Sequence, residues 1–383
     1  MTSPPKAAGP KRIAIVVTRL DLGGAQKVVL YLVEHLDKTR YCVHLLTGRG
    51  GLLDARASAM QEIKVVFLDI LKHSLSPGHD LRAIGTLKKY FIQNQIEIVH
   101  THTSKAGIVG RMAARLSGVK KILHTVHGFP FHLYQPPLAH HLYLWAERRA
   151  AKWTDRLVAV GRDIKSYGLK KGVGREGQYR IIRAGIEIER FKNQRLDKRA
   201  YLKQAGLDPQ KFTVGMIGNL KKEKNPTAFI EVARRVLARD KNTQFIFAGG
   251  GPLKSVVEAL LNQYGLRDRV KFLGWVEKPE WFLAAIDLFL FTSLKEGLPC
   301  ALAEAAAAGK TIVATDIDGN REMLTLLGSG VLYPPFDHDA AAAEILSFKN
   351  HPALENYDRQ ASHRLREFEA EHMLRQYEEI YDE

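Results

Sequence analysis

Short runs of β-branched and aliphatic residues alternate along this chain with longer stretches whose apolar positions recur at helical spacing. "RIAIVVT" (12–18) reads as a buried strand and "GAQKVVLYLVEHL" (24–36) as an amphipathic helix. The alternation continues through strands over 42–47, 63–69, 96–103 and 121–127, with helices over 79–94 and 105–117. A long helical stretch follows at about 136–153, then strands over 156–161 and 179–185. The pattern restarts with strands over 212–220, 243–251, 269–274, 287–293, 311–317 and 330–337, and helices over 226–239, 252–264 and from Pro299 to Gly309. This predicts an α/β fold of two doubly wound domains, joined near "AGIEIERFKNQ" (184–194). The tail reads as a helix with a stripe of Phe368, Met373, Tyr377 and Tyr381.

The chain's 383 residues agree with two cores rather than one. Two cysteines, Cys42 and Cys300, make neither a disulfide framework nor a metal cluster and fit a reducing compartment. No apolar run is long enough to span a bilayer, and the start, "MTSPPKAAGPKR", lacks the apolar core of a secretion signal. A cytoplasmic protein is expected, peripheral on the inner face of a membrane if the charge is used there. That charge is uneven: residues 1–190 hold 31 Lys and Arg against 14 Asp and Glu, while residues 191–383 hold 26 against 27. A basic first half attracts an anionic partner, whether membrane, nucleic acid or phosphorylated substrate.

In open α/β sheets ligands bind at the carboxyl ends of the strands, and four loops there carry unusual residues. In "TRLDLGGAQ" (18–26), Gly23 and Gly24 open a helix whose N-terminus favours an anion. In "HTVHGFPFH" (124–132), His127 and Gly128 lie just past a strand end. In "GNLKKEKNP" (218–226), Lys221, Lys222 and Lys224 gather before a helix begun by Asn225 and Pro226, which suits phosphate. In "KEGLPCALAEAAAAGK" (295–310), Glu296 lies in the loop and Glu304 inside an alanine-rich helix, with the backbone around Gly297 and Leu298 supplying donors. Two acceptors and several donors suit a polyhydroxylated ligand carrying phosphate. The glycine turn "AGGGP" (248–252) lacks the full spacing of a dinucleotide fingerprint.

In order along the chain, the Gly-Gly loop, "HTHTSKAG" (100–107), His127-Gly128, "AGIEIERF", "GNLKKEKN", "AGGGP" and "EGLPCALAEAAAAGKTIVATDIDGN" resemble the retaining GT-B glycosyltransferases of family 4. The resemblance covers nearly the whole length, and its most specific part is the E-x7-E motif, Glu296 and Glu304. It is strongest toward bacterial enzymes of surface-polysaccharide assembly. It implies two facing Rossmann-like domains with a cleft between them: an acceptor-side domain over 1–188, a donor domain over 189–358, and a helix over 359–383 that returns to the first.

By this resemblance Glu304 binds the ribose of a nucleotide-sugar donor, a UDP-sugar by preference. Glu296 sits by the donor sugar and the reacting carbon. Gly297, Leu298 and Pro299 hold sugar and phosphates, together with Gly218 and Gly250. Lys224 neutralises the diphosphate, Gly23 and Gly24 let it approach the first domain, and His127 contacts the sugar. The catalytic set is thus Glu296, His127 and Lys224. Asn219 stands where the family usually has arginine, so Lys221, Lys222 or a distant arginine is expected to compensate; Glu187 replaces the family's usual aspartate at the joint. No metal and no other cofactor is expected.

The acceptor is expected to be a saccharide, linked through diphosphate to a lipid. "GFPFHLYQPPLAHHLYLWAERRAAKW" (128–153), with aromatics beside Arg148, Arg149 and Lys152, suits an anionic membrane surface. A non-catalytic sugar-binding module does not account for Glu296 and Lys224 both being present, and two further rival functions stand beside this one. A nucleotide-sugar epimerase of the same fold needs extra acid–base residues that do not stand out. A nucleic-acid-binding protein would explain the charge but not the ordered loop motifs, and no recognised module for it is present.

Overall fold

The computed structural model describes residues 9–71, 77–131, 136–192, 194–351 and 364–383. His132, part of one motif above, and the first residues of the chain lie outside these. Two compact units form: residues 1–184 with 373–383, and residues 185–372.

The first unit is a seven-stranded parallel sheet of β1 (Lys11–Arg19), β2 (Tyr41–Gly48), β3 (Lys64–Phe67), β4 (Ile98–His102), β5 (Lys121–Val126), β6 (Arg156–Ala159) and β7 (Tyr179–Ile181), in the order β3-β2-β1-β4-β5-β6-β7. Ile13, Ile15, Val16 and Val99 are fully buried, as strands covered on both faces require. One core lies against helices Pro77–Gln93 and Ser104–Ser117, where Leu87, Phe91, Val109 and Ala113 meet Ala14, Val16 and Val99. A second gathers Phe129, Phe131, Leu144, Leu157 and Tyr179 under helix Pro137–Ala151.

The second unit is a six-stranded parallel sheet of β8 (Phe212–Ile217), β9 (Thr243–Ala248), β10 (Val270–Phe272), β11 (Leu288–Phe291), β12 (Thr311–Thr315) and β13 (Val331–Tyr333), in the order β10-β9-β8-β11-β12-β13. Phe229 on helix Pro226–Arg239 packs edge-on to Phe245 and Phe247. In both sheets the strand order reverses beside the first strand: between β1 and β4, and between β8 and β11. Open sheets bind ligands at these points.

Several strands end earlier than the apolar runs imply. After Ala248 the chain leaves the ladder because Gly249, at φ 151°, takes a conformation closed to other residues. The predicted C-terminal stripe is divided. Phe368 is buried in the second unit, where a 3-10 turn over Leu365–Phe368 leads into a bridge between Glu369 and Ile186. Residues 359–363 of the expected returning helix lie outside the described residues, and Met373–Glu383 belong to the first unit. There Tyr377 and Tyr381 reach Thr125 Oγ1 and His100 Nδ1 at 2.9 and 2.6 Å. Lys11 and Lys121 donate to the carbonyls of Tyr381 and Ile380, placing cations at the helix C-terminus.

Candidate functional site

In the second unit two loops meet at the β8/β11 switch point. Beyond β8, Gly218 N–H donates to Ala248 O and Leu220 N–H to Gly250 O, both at 3.0 Å. This approach of backbone to backbone requires Gly249, since a Cβ there would stand 1.8 Å from Gly218 O. A 3-10 turn, Lys222–Lys224, then hands over to helix Pro226–Arg239 through Asn225 at φ 49°, ψ 57°. Asparagine tolerates this left-handed geometry, and proline suits the first helical position that follows.

The opposite loop, after β11, locks onto this turn. Thr292 Oγ1 lies 3.1 and 3.0 Å from the carbonyl oxygens of Lys224 and Asn225, and Leu294 N–H donates to Glu223 O at 2.7 Å. The ammonium of Lys224 is held between the Glu296 carboxylate, with which it forms an ion pair, and the ring of Phe291, whose centroid is 5.1 Å away. Both partners are partly buried, at 25% and 11% side-chain exposure, and each keeps some surface open. Next to Glu296, burial holds the Lys295 ammonium below the usual lysine value, with Glu223 opposing the shift.

The loop then enters helix Cys300–Ala307 at Pro299, whose side chain offers the first N–H groups no cap. Glu304 lies within this helix at 3% exposure. From the other side, helix Asp318–Leu327 presses on the loop at Gly319; a Cβ there would lie 2.8 and 2.7 Å from the carbonyl oxygens of Glu296 and Gly297. Glu296, Gly297, Leu298 and Pro299 are therefore fixed in place by neighbours on both flanks.

In the first unit the β1/β4 switch point is closed by two threonines. Thr103 adopts φ 63°, ψ 157°, strained for a residue with a side chain, and its Oγ1 lies 2.7 Å from Thr18 Oγ1. Gly23 caps helix Gly24–His35 in extended geometry, so no backbone strain demands a glycine there. His127 follows β5 directly and is partly buried. Its Nε2 lies 3.0 Å from His102 Nδ1. A cavity of about 20 Å³ lies alongside, lined in part by Ser104, His124, His127, Phe129 and Glu147. Behind it, Arg111 and Glu147 form a buried ion pair at 2.6 Å, and Arg111 Nε also donates to Gly107 O. Burial pushes His100 down to about 3 and His127 to about 4, and holds His102 and His124 well below the usual histidine value.

Of the residues singled out in the sequence, the structure joins Lys224 to Glu296 and sets Gly218, Gly250 and Gly297–Pro299 around the same strand ends. Lys221 and Lys222 are exposed, so Lys224 alone of the three turns into this site. Asn219 lies beside it, its carbonyl accepting from Lys221 N–H at 2.8 Å. Sequence reasoning missed Thr292, Thr103, His102 and the Arg111–Glu147 pair. The quoted "HTHTSKAG" (100–107), polar residues at the end of a strand, carried the signal for His102 and Thr103.

A family model for glycosyl transferases group 1 matches residues 197–367, and one for glycosyltransferase family 4 matches residues 22–190. The chain is 31% identical over 302 residues to UDP-Gal:alpha-D-GlcNAc-diphosphoundecaprenol alpha-1,3-galactosyltransferase of Escherichia coli, covering 78% of each chain. It is 28% identical over 289 residues to the putative glycosyltransferase EpsD of Bacillus subtilis, covering 74% of this chain and 75% of EpsD. Among solved structures, Anabaena HepE in complex with UDP and glucose matches with a TM-score of 0.81 at 18% identity, covering 97% of this chain and 99% of HepE. Sucrose-phosphate synthase of Thermosynechococcus elongatus matches with a TM-score of 0.82 at 20% identity, covering 97% and 98%.

Proposed function

The chain belongs to the family 4 glycosyltransferases of GT-B fold and acts in bacterial polysaccharide or lipid-linked sugar assembly; from that premise we propose that it is a retaining enzyme which moves a hexosyl or N-acetylhexosaminyl group from a UDP-sugar to a lipid-diphosphate-linked saccharide. The observation that carries the donor half is the Lys224–Glu296 ion pair at the β8/β11 switch point, beside the uncapped helix that bears Glu304.

A nucleoside diphosphate has two needs that this arrangement meets. Its charge is matched by the Lys224 ammonium and the helix N-terminus, and its ribose diol by the Glu304 carboxylate. When the diphosphate takes Lys224, the Glu296 carboxylate is released to accept hydrogen bonds from the donor sugar. In the transfer, the bond from the anomeric carbon to the diphosphate breaks and its electron pair leaves with the phosphate oxygen. The acceptor hydroxyl forms the new bond from the same face and gives its proton to that oxygen. No covalent enzyme intermediate and no resident metal enter this reading.

The acceptor half rests on helix Pro137–Ala151. Leu138, Leu142 and Trp145 are 83%, 51% and 64% exposed at helical spacing, and the same face continues into Arg148, Arg149 and Lys152, all exposed. An apolar stripe running into cations suits the surface of an anionic bilayer, where a lipid-linked saccharide resides. The E. coli relative's name specifies a diphosphoundecaprenol acceptor and a UDP-Gal donor, which supports both halves.

The test is thermal melting with UDP-, GDP-, ADP- and dTDP-sugars, with Glu304→Ala in parallel. A ligand that binds only the native state stabilises it by about 2.7 kcal/mol at a hundredfold excess over its dissociation constant. The expected result is a shift with UDP-sugars alone, abolished by Glu304→Ala. A shift with another base would replace the donor assigned here, and no shift with any of them would remove the donor site.

A further inference from the structure

His127 makes a single hydrogen bond among the described residues, to His102 Nδ1 at 3.0 Å. His102 is fully buried on β4, its ring tilted 44° against that of His100 with centroids 4.1 Å apart. Its other nitrogen, Nε2, is buried with no hydrogen-bond partner among the described residues. Both rings are neutral at neutral pH, since burial lowers both, so only one proton lies between them.

That proton has two placements. If His127 Nε2–H donates, His102 must carry its own proton on Nε2, where it becomes a buried N–H with no acceptor. If His102 Nδ1–H donates, the atom left unpaired is a bare ring nitrogen. Orphaned buried N–H groups are rarer than under-used acceptors, and leaving a buried donor unsatisfied costs its full desolvation. The second placement is favoured, and it dictates the rest of the pair. With Nε2 accepting, the proton of neutral His127 must lie on Nδ1.

We propose that His102 is a positioning residue: by donating from Nδ1 to His127 Nε2 it fixes the His127 proton on Nδ1, and so presents His127 to a bound saccharide as a hydrogen-bond donor rather than as a base. The ligand class rests on the glycosyltransferase reading above; the tautomer does not. A donor at this position meets a sugar hydroxyl or phosphate oxygen without removing its proton, which agrees with a transfer in which the leaving phosphate takes the acceptor's proton.

The test is long-range proton–nitrogen correlation NMR on protein labelled with nitrogen-15 in histidine, with His127→Gln to assign the resonances. In the unmutated protein at neutral pH, His127 is expected in the Nδ1–H pattern; an Nε2–H pattern overturns the proposal. His102→Asn places an amide N–H close to the position of Nδ1, whereas His102→Leu places none. Asn is expected to keep the Nδ1–H pattern and most of the turnover of UDP-galactose with GlcNAc-diphosphoundecaprenol, and Leu to give mixed tautomers and about tenfold lower kcat. Equal loss in both variants with an unchanged His127 pattern would make His102 merely structural. The spectrum of the unmutated protein decides the tautomer even if these substrates are not turned over, so failure of the substrate assignment is read separately.

Discussion

Acid should unfold the first unit before the second. His44, His100 and His127 are held neutral by burial, with values pushed down to about 4, 3 and 4. In the unfolded chain each protonates near its ordinary value of about 6.5. The unfolded state therefore binds more protons, and stability, complete above that value, falls as pH drops toward the folded values. At pH ~5.5 each group forfeits about 1.4 kcal/mol, so the three together cost roughly 4 kcal/mol, against a total stability of about 5–15 kcal/mol for a domain. His102 and His124 add in the same direction. For a unit of this size that is a fall of roughly 10 °C in melting temperature. The second unit carries one histidine lowered by burial among its described residues, His338, and serves as the internal control. Calorimetry between pH ~7 and ~5.5 should show one transition moving and one nearly still. Hydrogen exchange should assign the moving one to β4 and β5 rather than β8 and β9. Equal movement of both transitions, or full protection of β4 at the lower pH, would refute the reasoning.

Arg111→Met leaves the Glu147 carboxylate buried without its cation and should cost about 3–5 kcal/mol in urea unfolding, whereas Arg111→Met with Glu147→Met should recover most of that loss. Replacing Leu138, Leu142 and Trp145 together by serine should weaken co-sedimentation with vesicles of phosphatidylcholine and phosphatidylglycerol by at least about tenfold. Salt should weaken what binding remains. Equal sedimentation of this variant would exclude the helix from membrane docking.

The strands were legible because β-branched runs such as "RIAIVVT" and "FTVGMIGNL" are buried on both faces, leaving little choice of structure. Their carboxyl ends were less so, because a glycine such as Gly249 continues the apolar run in composition while leaving the ladder in conformation. The loops of the candidate site were visible through Gly297, Pro299, Asn225 and Pro226, residues whose backbone preferences are local. What local preference cannot reveal is pairing across distance. Lys224 and Glu296 lie 72 positions apart, and each read as a ligand group in its own right rather than as the other's counterion. Glu147 drew no notice beside Arg148 and Arg149, because its partner Arg111 comes from another helix. The stripe at Phe368, Met373, Tyr377 and Tyr381 had the right apolar character, but a 3-10 turn at Leu365–Phe368 sends its first member to a different core.

The helix that carries Tyr377 and Tyr381 also sets an order of events during synthesis. The sheet it covers is translated first, yet its covering segment is translated only after the whole of the second unit. Until then Tyr41 lacks the Asp382 carboxylate to which its hydroxyl donates at 2.9 Å, and Lys11 and Lys121 lack the carbonyls they serve. The half of the chain that emerges first is thus the half that matures last. A nascent first unit waits with one face unfinished, and that face is where a chaperone would bind and where an aggregate would begin.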